Sequence, residues 1–352
     1  MYRQLAFLFL ILAFAGCQSA PFEFLSSTKK DARFKIRSQG KTGYIDSHGE
    51  IIIPALFDFG HDFSNGLAMF EQENKVGYLK PDGTKLVEAT YGLDSRSFSE
   101  NRAAVKVLET GSLSKGKMGY IDQNGLLIIL DMYERARDFS NGLAAVRKNG
   151  LWGFIDPLGS SIIEPTYVSV GQFSEGYCSV VNEAGQVGYI DQLGNWVLPP
   201  VYLEALEFHN GRACVLGKAS DQSEAWGVIN TDGEPIVGFG GIANDRIDLP
   251  MYAEGLLAAI DPTSGKFGYL DTNGEWAIEP GFDEAKPFSE GLAAVFASNR
   301  WTYIDEKGKP RIEGLQILEG GAFKNGLAPV QDVHGNWSNY IDTKGNYVYR
   351  SN

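Results

Sequence analysis

After residue 17 the chain runs in short apolar stretches, each closed by a turn signal, and no segment holds a helical period for ten residues. Residues 143–176 serve as the pattern. Leu143-Ala144-Ala145-Val146-Arg147 predicts a strand, and Asn149-Gly150 a tight hairpin turn, because both central positions of such a turn need positive φ. Trp152-Gly153-Phe154-Ile155 predicts a second strand and Asp156-Pro157-Leu158-Gly159 a turn capped by its aspartate. Ser161-Ile162-Ile163 predicts a third strand, stopped by Pro165, and Tyr167 to Phe173 an irregular fourth.

This pattern recurs down the chain. Gly-Tyr-Ile-Asp stands whole at Gly43, Gly119 and Gly188, with near copies from Gly77, Gly153, Gly227 and Gly268 and degraded ones from Thr302 and Asn339. Between them runs Phe-Ser-x-Gly, in clear or near copies from Phe63, Phe98, Phe139, Phe173, Phe208, Phe288 and Phe323, with a weak copy from Tyr252. A period of roughly 35 to 40 residues means a stack or ring of one small unit. Three to four short strands per unit match a propeller blade. The expected fold is therefore all-β: eight or nine repeated units in a β-propeller, with an open β-solenoid as the alternative. The last strand, Asn346-Tyr347-Val348-Tyr349, is aromatic rather than polar, which favours closure over a capped end.

The spacing separates rigid parts from variable ones. From each Gly-Tyr-Ile-Asp start to the next Phe-Ser start is 20 or 21 residues, except 25 from Gly227 to Tyr252. The first hairpin turn varies more: Gly153 comes seven positions after Val146, but Gly119 comes 14 after Val105 and Gly227 comes 12 after Val215. The insertions, Leu108 to Lys117 and Gly217 to Ala225, occupy the same turn of their units, so they should emerge on one face. They supply the candidate binding residues Leu108, Lys115, Lys117, Lys218, Asp221 and Glu224. The bland alternative is that loops accept insertions at little entropic cost.

Residues 1–17 read as an export signal: Arg3, an apolar run from Leu5 to Phe14, then Ala15, Gly16 and Cys17. Phe14-Ala15-Gly16-Cys17 resembles the lipobox of bacterial lipoproteins, although Phe14 replaces the usual leucine. That resemblance implies lipidation at Cys17, and Gln18, in place of a retention aspartate, implies the outer membrane. Residues 18–31 read as a tether and 32–352 as the β domain. Membrane association is expected through the lipid anchor only. A net charge of −13 disfavours nucleic acid as a partner.

The Trp-Gly pairs Trp152-Gly153 and Trp226-Gly227, set in their repeated units, resemble bacterial WG (KWG) repeats over roughly residues 32–349. The resemblance implies a β-rich repeat module without general enzymatic activity, and it brings no catalytic residues.

Other chemistry is thinly supported. Gly111 to Lys117 matches G-x-x-x-x-G-K, but Met118 follows where a phosphate loop needs Ser or Thr. His48, His61, His209 and His334 lack metal-ligand spacing. Neither metal nor cofactor is expected. Cys178 and Cys214 take adjacent places in their strands, so they should face opposite ways and stay unpaired. Trp196, Trp276 and Trp337, which follow turn glycines, are candidate aromatic contacts for sugar; packing between neighbouring sheets is the plainer reading. The sequence thus points to a non-catalytic binding scaffold of the bacterial envelope for protein or glycan. A glycan-active enzyme with a central site and a structural spacer are the alternatives.

Overall fold

The computed structural model describes residues 32–242 and 252–351. The expected signal peptide, the tether at 18–31 and Cys17 lie outside the described residues. Strands form nine small antiparallel sheets among the described residues, seven four-stranded and two three-stranded, each built from strands consecutive in sequence. These are nine blades of a β-propeller, at residues 34–57, 59–91, 102–133, 135–167, 169–202, 204–242, 252–282, 284–312 and 319–349. They are numbered 1 to 9 in that order.

Blade 4 shows the unit. Arg135–Ser140 is the inner strand, Leu143–Lys148 and Leu151–Ile155 the middle pair, and Ser161–Tyr167 the outer strand. In most other blades the inner strand shrinks to two residues. The expected stop at Pro165 is a correction: the outer strand runs on to Tyr167. It does so because the register jumps, pairing Phe154 with Ile163 and Trp152 with Tyr167. Three residues lie opposite Gly153 alone, and proline is tolerated in a bulge because no ladder bond is asked of its nitrogen.

This bulge explains the motif glycine. A Cβ on Gly153 would lie 2.4 Å from the Ile163 carbonyl oxygen and 2.7 Å from the Pro165 nitrogen. Gly43, Gly119, Gly188 and Gly268 are crowded in the same way by their own outer strands. In blades 8 and 9, where Thr302 and Asn339 replace the glycine, the outer strand is cut to Pro310–Ile312 and Tyr347–Tyr349.

Packing between blades forms the core. The phenylalanines at 98, 139, 173, 208, 288 and 323 are buried, and each sits edge-on or tilted against the motif aromatic of the preceding blade, as Phe139 does on Tyr120 at 5.0 Å. The ring closes without strand exchange. Phe34 takes the place of that phenylalanine against Tyr340, at 5.5 Å. The Tyr340 hydroxyl donates to the Lys35 carbonyl at 2.7 Å, and the Arg37 amide to Ser338 Oγ at 2.8 Å. Each outer-turn glycine also rests on the previous blade, as Gly159 does on Ile129 and Gly194 on Ile163; Gly49 of blade 1 rests on Val348 of blade 9.

Candidate functional site

The repeat motifs are spent on the ring itself. Tyr44, Tyr78, Tyr120, Tyr189, Tyr269 and Tyr303 each donate a hydroxyl proton to a backbone carbonyl of the next blade, at 2.6–2.8 Å. Burial pushes these phenols well above their ordinary range. Ser64, Ser99, Ser140, Ser174 and Ser289 donate to the carbonyl of the following phenylalanine, at 2.6–2.7 Å. The next side chain in the motif accepts from the amides of the following turn: Glu175 takes Asn210 and Gly211 at 2.7 Å, and Glu290 takes Asn325 and Gly326. The turn aspartates are caps. Asp191 Oδ1 accepts the amides of Leu193 and Asn195 at 2.9 and 2.8 Å.

What the motifs leave free are the hairpins between the two middle strands. Blades 1, 2, 4 and 8 close them with two residues at positive φ: Gln39-Gly40, Glu73-Asn74, Asn149-Gly150 and Ser298-Asn299. Blade 3 extends its ladder to Leu108 opposite Gly116, leaving a tip at 109–115. Blade 6 extends to Lys218 opposite Glu224, with a tip at 219–223. Turns alternate ends along an up-and-down sheet, so these hairpins share one face of the ring and the aspartate turns occupy the other.

Each tip is internally ordered. In blade 3, Ser112 Oγ accepts the amides of Ser114 and Lys115, at 3.2 and 2.8 Å. Leu108 is half-buried, whereas Lys115 and Lys117 are exposed. In blade 6, Lys218 pairs across the ladder with Glu224 at 2.9 Å, and Asp221 accepts the Ser223 amide and hydroxyl. The Ser223 side-chain bond, then its amide, holds the Asp221 carboxyl below the usual carboxylate range. Blades 3 and 6 stand a third of the ring apart, so the two groups do not meet in one pocket.

The three tryptophans do not form a row. Trp196 and Trp276 begin the outer strands of blades 5 and 7, while Trp337 lies between the middle strands of blade 9. Trp196 meets Tyr167 of blade 4 edge-on at 6.1 Å, and Trp276 packs on the cluster holding Ile236 and Leu270. Both serve inter-blade packing. Cys178 and Cys214 are free and buried, in clusters facing blades 4 and 7 respectively, and burial pushes both thiols up.

Three carboxylates on or just after the inner strands are paired across blades. Asp62 lies 3.7 Å from Lys35, Asp138 2.7 Å from Arg96, and Glu319 2.7 Å from Lys286. Among the described residues no group of three or more His, Cys, Asp or Glu side chains is arranged for a metal.

No curated protein matches the chain in sequence. Among solved structures, the crystal structure of a eukaryotic initiation factor superposes with a TM-score of 0.58 at 11% identity, covering 90% of this chain and 94% of that one. BamB from Moraxella catarrhalis gives 0.39 at 12%, covering 78% and 96%. At such identities the likeness to the initiation factor shows the fold alone. The model of the WG containing repeat matches residues 43–75, 118–152, 152–184, 188–216, 267–300 and 301–337, more than half of the chain. The chain belongs to the WG-containing repeat family.

Proposed function

We propose that this protein is a non-catalytic binding scaffold of the bacterial envelope, held there by a lipid on Cys17, and that its partner is a protein gripped on the hairpin face. One observation carries the reading. Four blades close that face with a two-residue turn and blades 5, 7 and 9 with tips at 182–186, 261–266 and 332–338 on short ladders, whereas blades 3 and 6 extend the ladder itself and so raise charged hairpins above it. The repeat chemistry elsewhere is consumed in holding blades together, so variation for recognition is concentrated in these tips. A protein fits better than a glycan because Trp196 and Trp276 stand on outer strands and pack between blades, which leaves the exposed Trp337 alone of the three on the hairpin face and gives no row of aromatic platforms.

The test is to replace residues 108–116 with Asn-Gly, so that the pair Val107–Lys117 flanks a two-residue turn as Lys148–Leu151 does in blade 4. Thermal unfolding should stay near that of the parent while recovery of the partner from envelope extracts falls. Undiminished recovery by a folded variant would refute the role of this face. The anchor is tested separately: uptake of a clickable fatty acid by the cells should disappear in Cys17→Ser, and persistence of label would refute it.

A further inference from the structure

The two ends of the described chain stand on opposite faces of the ring. The first strand of blade 1 runs from Phe34, opposite Ile45 beside the Asp46 turn, to Ser38, opposite Lys41 at the hairpin. Ala32 and Arg33 therefore lie on the aspartate face. The last strand, Tyr347–Tyr349, runs the other way. The Ser351 amide then donates to Asn339 Oδ1 at 3.0 Å, at the hairpin end of the middle strands of blade 9.

Arg33 pins that entry. The equivalent residue is leucine in several other blades, as at Leu67, Leu143, Leu256, Leu292 and Leu327. The Arg33 guanidinium instead reaches across to blade 2. Its Nε donates to the Pro81 carbonyl, in the aspartate turn of that blade, at 2.9 Å, and Nη1 donates to the Ala32 carbonyl at 3.0 Å. Ala32 itself is buried. The entry also lies toward the channel, because Phe34–Ser38 is the innermost described strand of blade 1. The chain that precedes Ala32 thus joins the ring on the inner part of the aspartate face and not at the rim.

We infer that the aspartate face is turned toward the anchoring membrane and the hairpin face away from it, so that the protein gripped by the hairpins approaches from the aqueous side. The inference rests on the lipid proposed at Cys17. Residues 18–31 span at most about 50 Å when fully extended, and about 20 Å on average as a flexible chain. From the aspartate face that length reaches a bilayer lying parallel to the face. To bring the hairpin face to the bilayer, the same residues would first have to cross the strands of blade 1 and descend their height, roughly 30 Å in all. The raised tips of blades 3 and 6 would then hold the ring off further, and little slack would remain. The ladder of blade 3 runs from Arg102 opposite Asp122 to Leu108 opposite Gly116, which puts its tip about 20 Å from the aspartate turn of the same blade. The tips therefore stand clear of the headgroups. The partner they fit is a protein in the aqueous phase, not a neighbour embedded beside the anchor.

The test places the lipidated protein, as purified from cells, in phosphatidylcholine vesicles that carry a rhodamine-headgroup lipid as energy acceptor. A fluorescent donor is attached at one exposed position at a time: Asn124→Cys or Thr110→Cys in blade 3, Asp232→Cys or Ser220→Cys in blade 6. Each pair compares the turn and the tip of one blade, so a tilt of the ring does not mimic the result. Cys178 and Cys214 are buried and leave the new thiols to react. Transfer from 124 and 232 should be at least about twice that from 110 and 220, because the tips stand about 20 Å further out. Equal transfer, or stronger transfer from the tips, would overturn the inference. An unlipidated chain beginning at Gln18 should show no transfer from any of the four. Transfer that persists there would refute the anchor and the inference with it, whereas transfer lost there but stronger from the tips of the lipidated protein would refute the orientation alone. The same unlipidated chain, held on a nickel-chelating lipid by a histidine tag after Asn352, should reverse the order of turn and tip, since Ser351 lies on the hairpin side. An unreversed order would overturn the placement of the two ends.

Discussion

Gly119 and Phe139 illustrate how single residues decide this fold. A Cβ on Gly119 would sit 2.6 Å from the Ile129 carbonyl oxygen and 3.0 Å from the Asp131 nitrogen, and backbone cannot yield as a side-chain tip can. Gly119→Ala should cost about 1–3 kcal/mol through forced displacement of the outer strand. Phe139 is fully buried between blades 3 and 4, and Phe139→Ala should cost about 3–5 kcal/mol. Urea unfolding of each variant measures both; a midpoint equal to the parent's would contradict the packing described. The turn aspartates give a pH dependence. The Asn195 side-chain amide, followed by the amides of Asn195 and Leu193, holds the Asp191 carboxyl below the usual range. Backbone amides do the same for Asp271 and Asp305, led by those of Glu275 and Lys309. A carboxyl depressed in the folded state stabilises it above the unfolded pKa of about 3.9, and that contribution is lost as pH falls through the folded value. The unfolding midpoint should therefore decline below about pH 4. Asp191→Asn, which copies Asn230 of blade 6, should soften that decline; an unaltered acid profile would show that the cap does not titrate with folding.

At the scale of the element, the sequence pattern made the two middle strands and both turns of each blade legible, because alternation, Asn-Gly and Asp-x-x-Gly signals are local. The outer strand was only half legible. Pro165 reads as a stop in one dimension, yet the bulge opposite Gly153 lets the strand pass it, and that bulge depends on a neighbour the pattern does not reveal. The loss of glycine at Thr302 and Asn339 reads as decay of the motif, whereas it coincides with shortened outer strands. Thr302→Gly should accordingly permit a longer outer strand in blade 8, seen as slowed hydrogen exchange at residues 313–316; unchanged exchange would mean that the sequence after Ile312 is what ends the strand. The hairpin insertions at 108–117 and 217–225 were visible as counts. Their distance around the ring was not, since it depends on how many blades separate them. The same holds for the candidate tryptophans: spacing places Trp196 and Trp276 alike in their repeats, but only the fold shows them set against neighbouring blades.

For the molecule as a whole, the ring is the premise of the proposed function. It puts the hairpins of blades 3 and 6 on one face and the aspartate turns on the other. Hydrogen bonds handed from each blade to the next carry that order around. They end where they began, in the contacts of Tyr340 with Lys35 and of Ser338 with Arg37. An open solenoid would keep every neighbouring contact but that last set, so the junction of blades 1 and 9 is the place to test. Cysteines at Arg37 and Ser338 offer the direct measurement: Arg37→Cys, Ser338→Cys protein is oxidised mildly and run on a non-reducing gel beside its two single variants. The closed ring predicts a disulfide within one chain, formed only in the double variant and seen as faster migration at unchanged mass. Failure to form it, or cross-links only between chains, would contradict the closed ring.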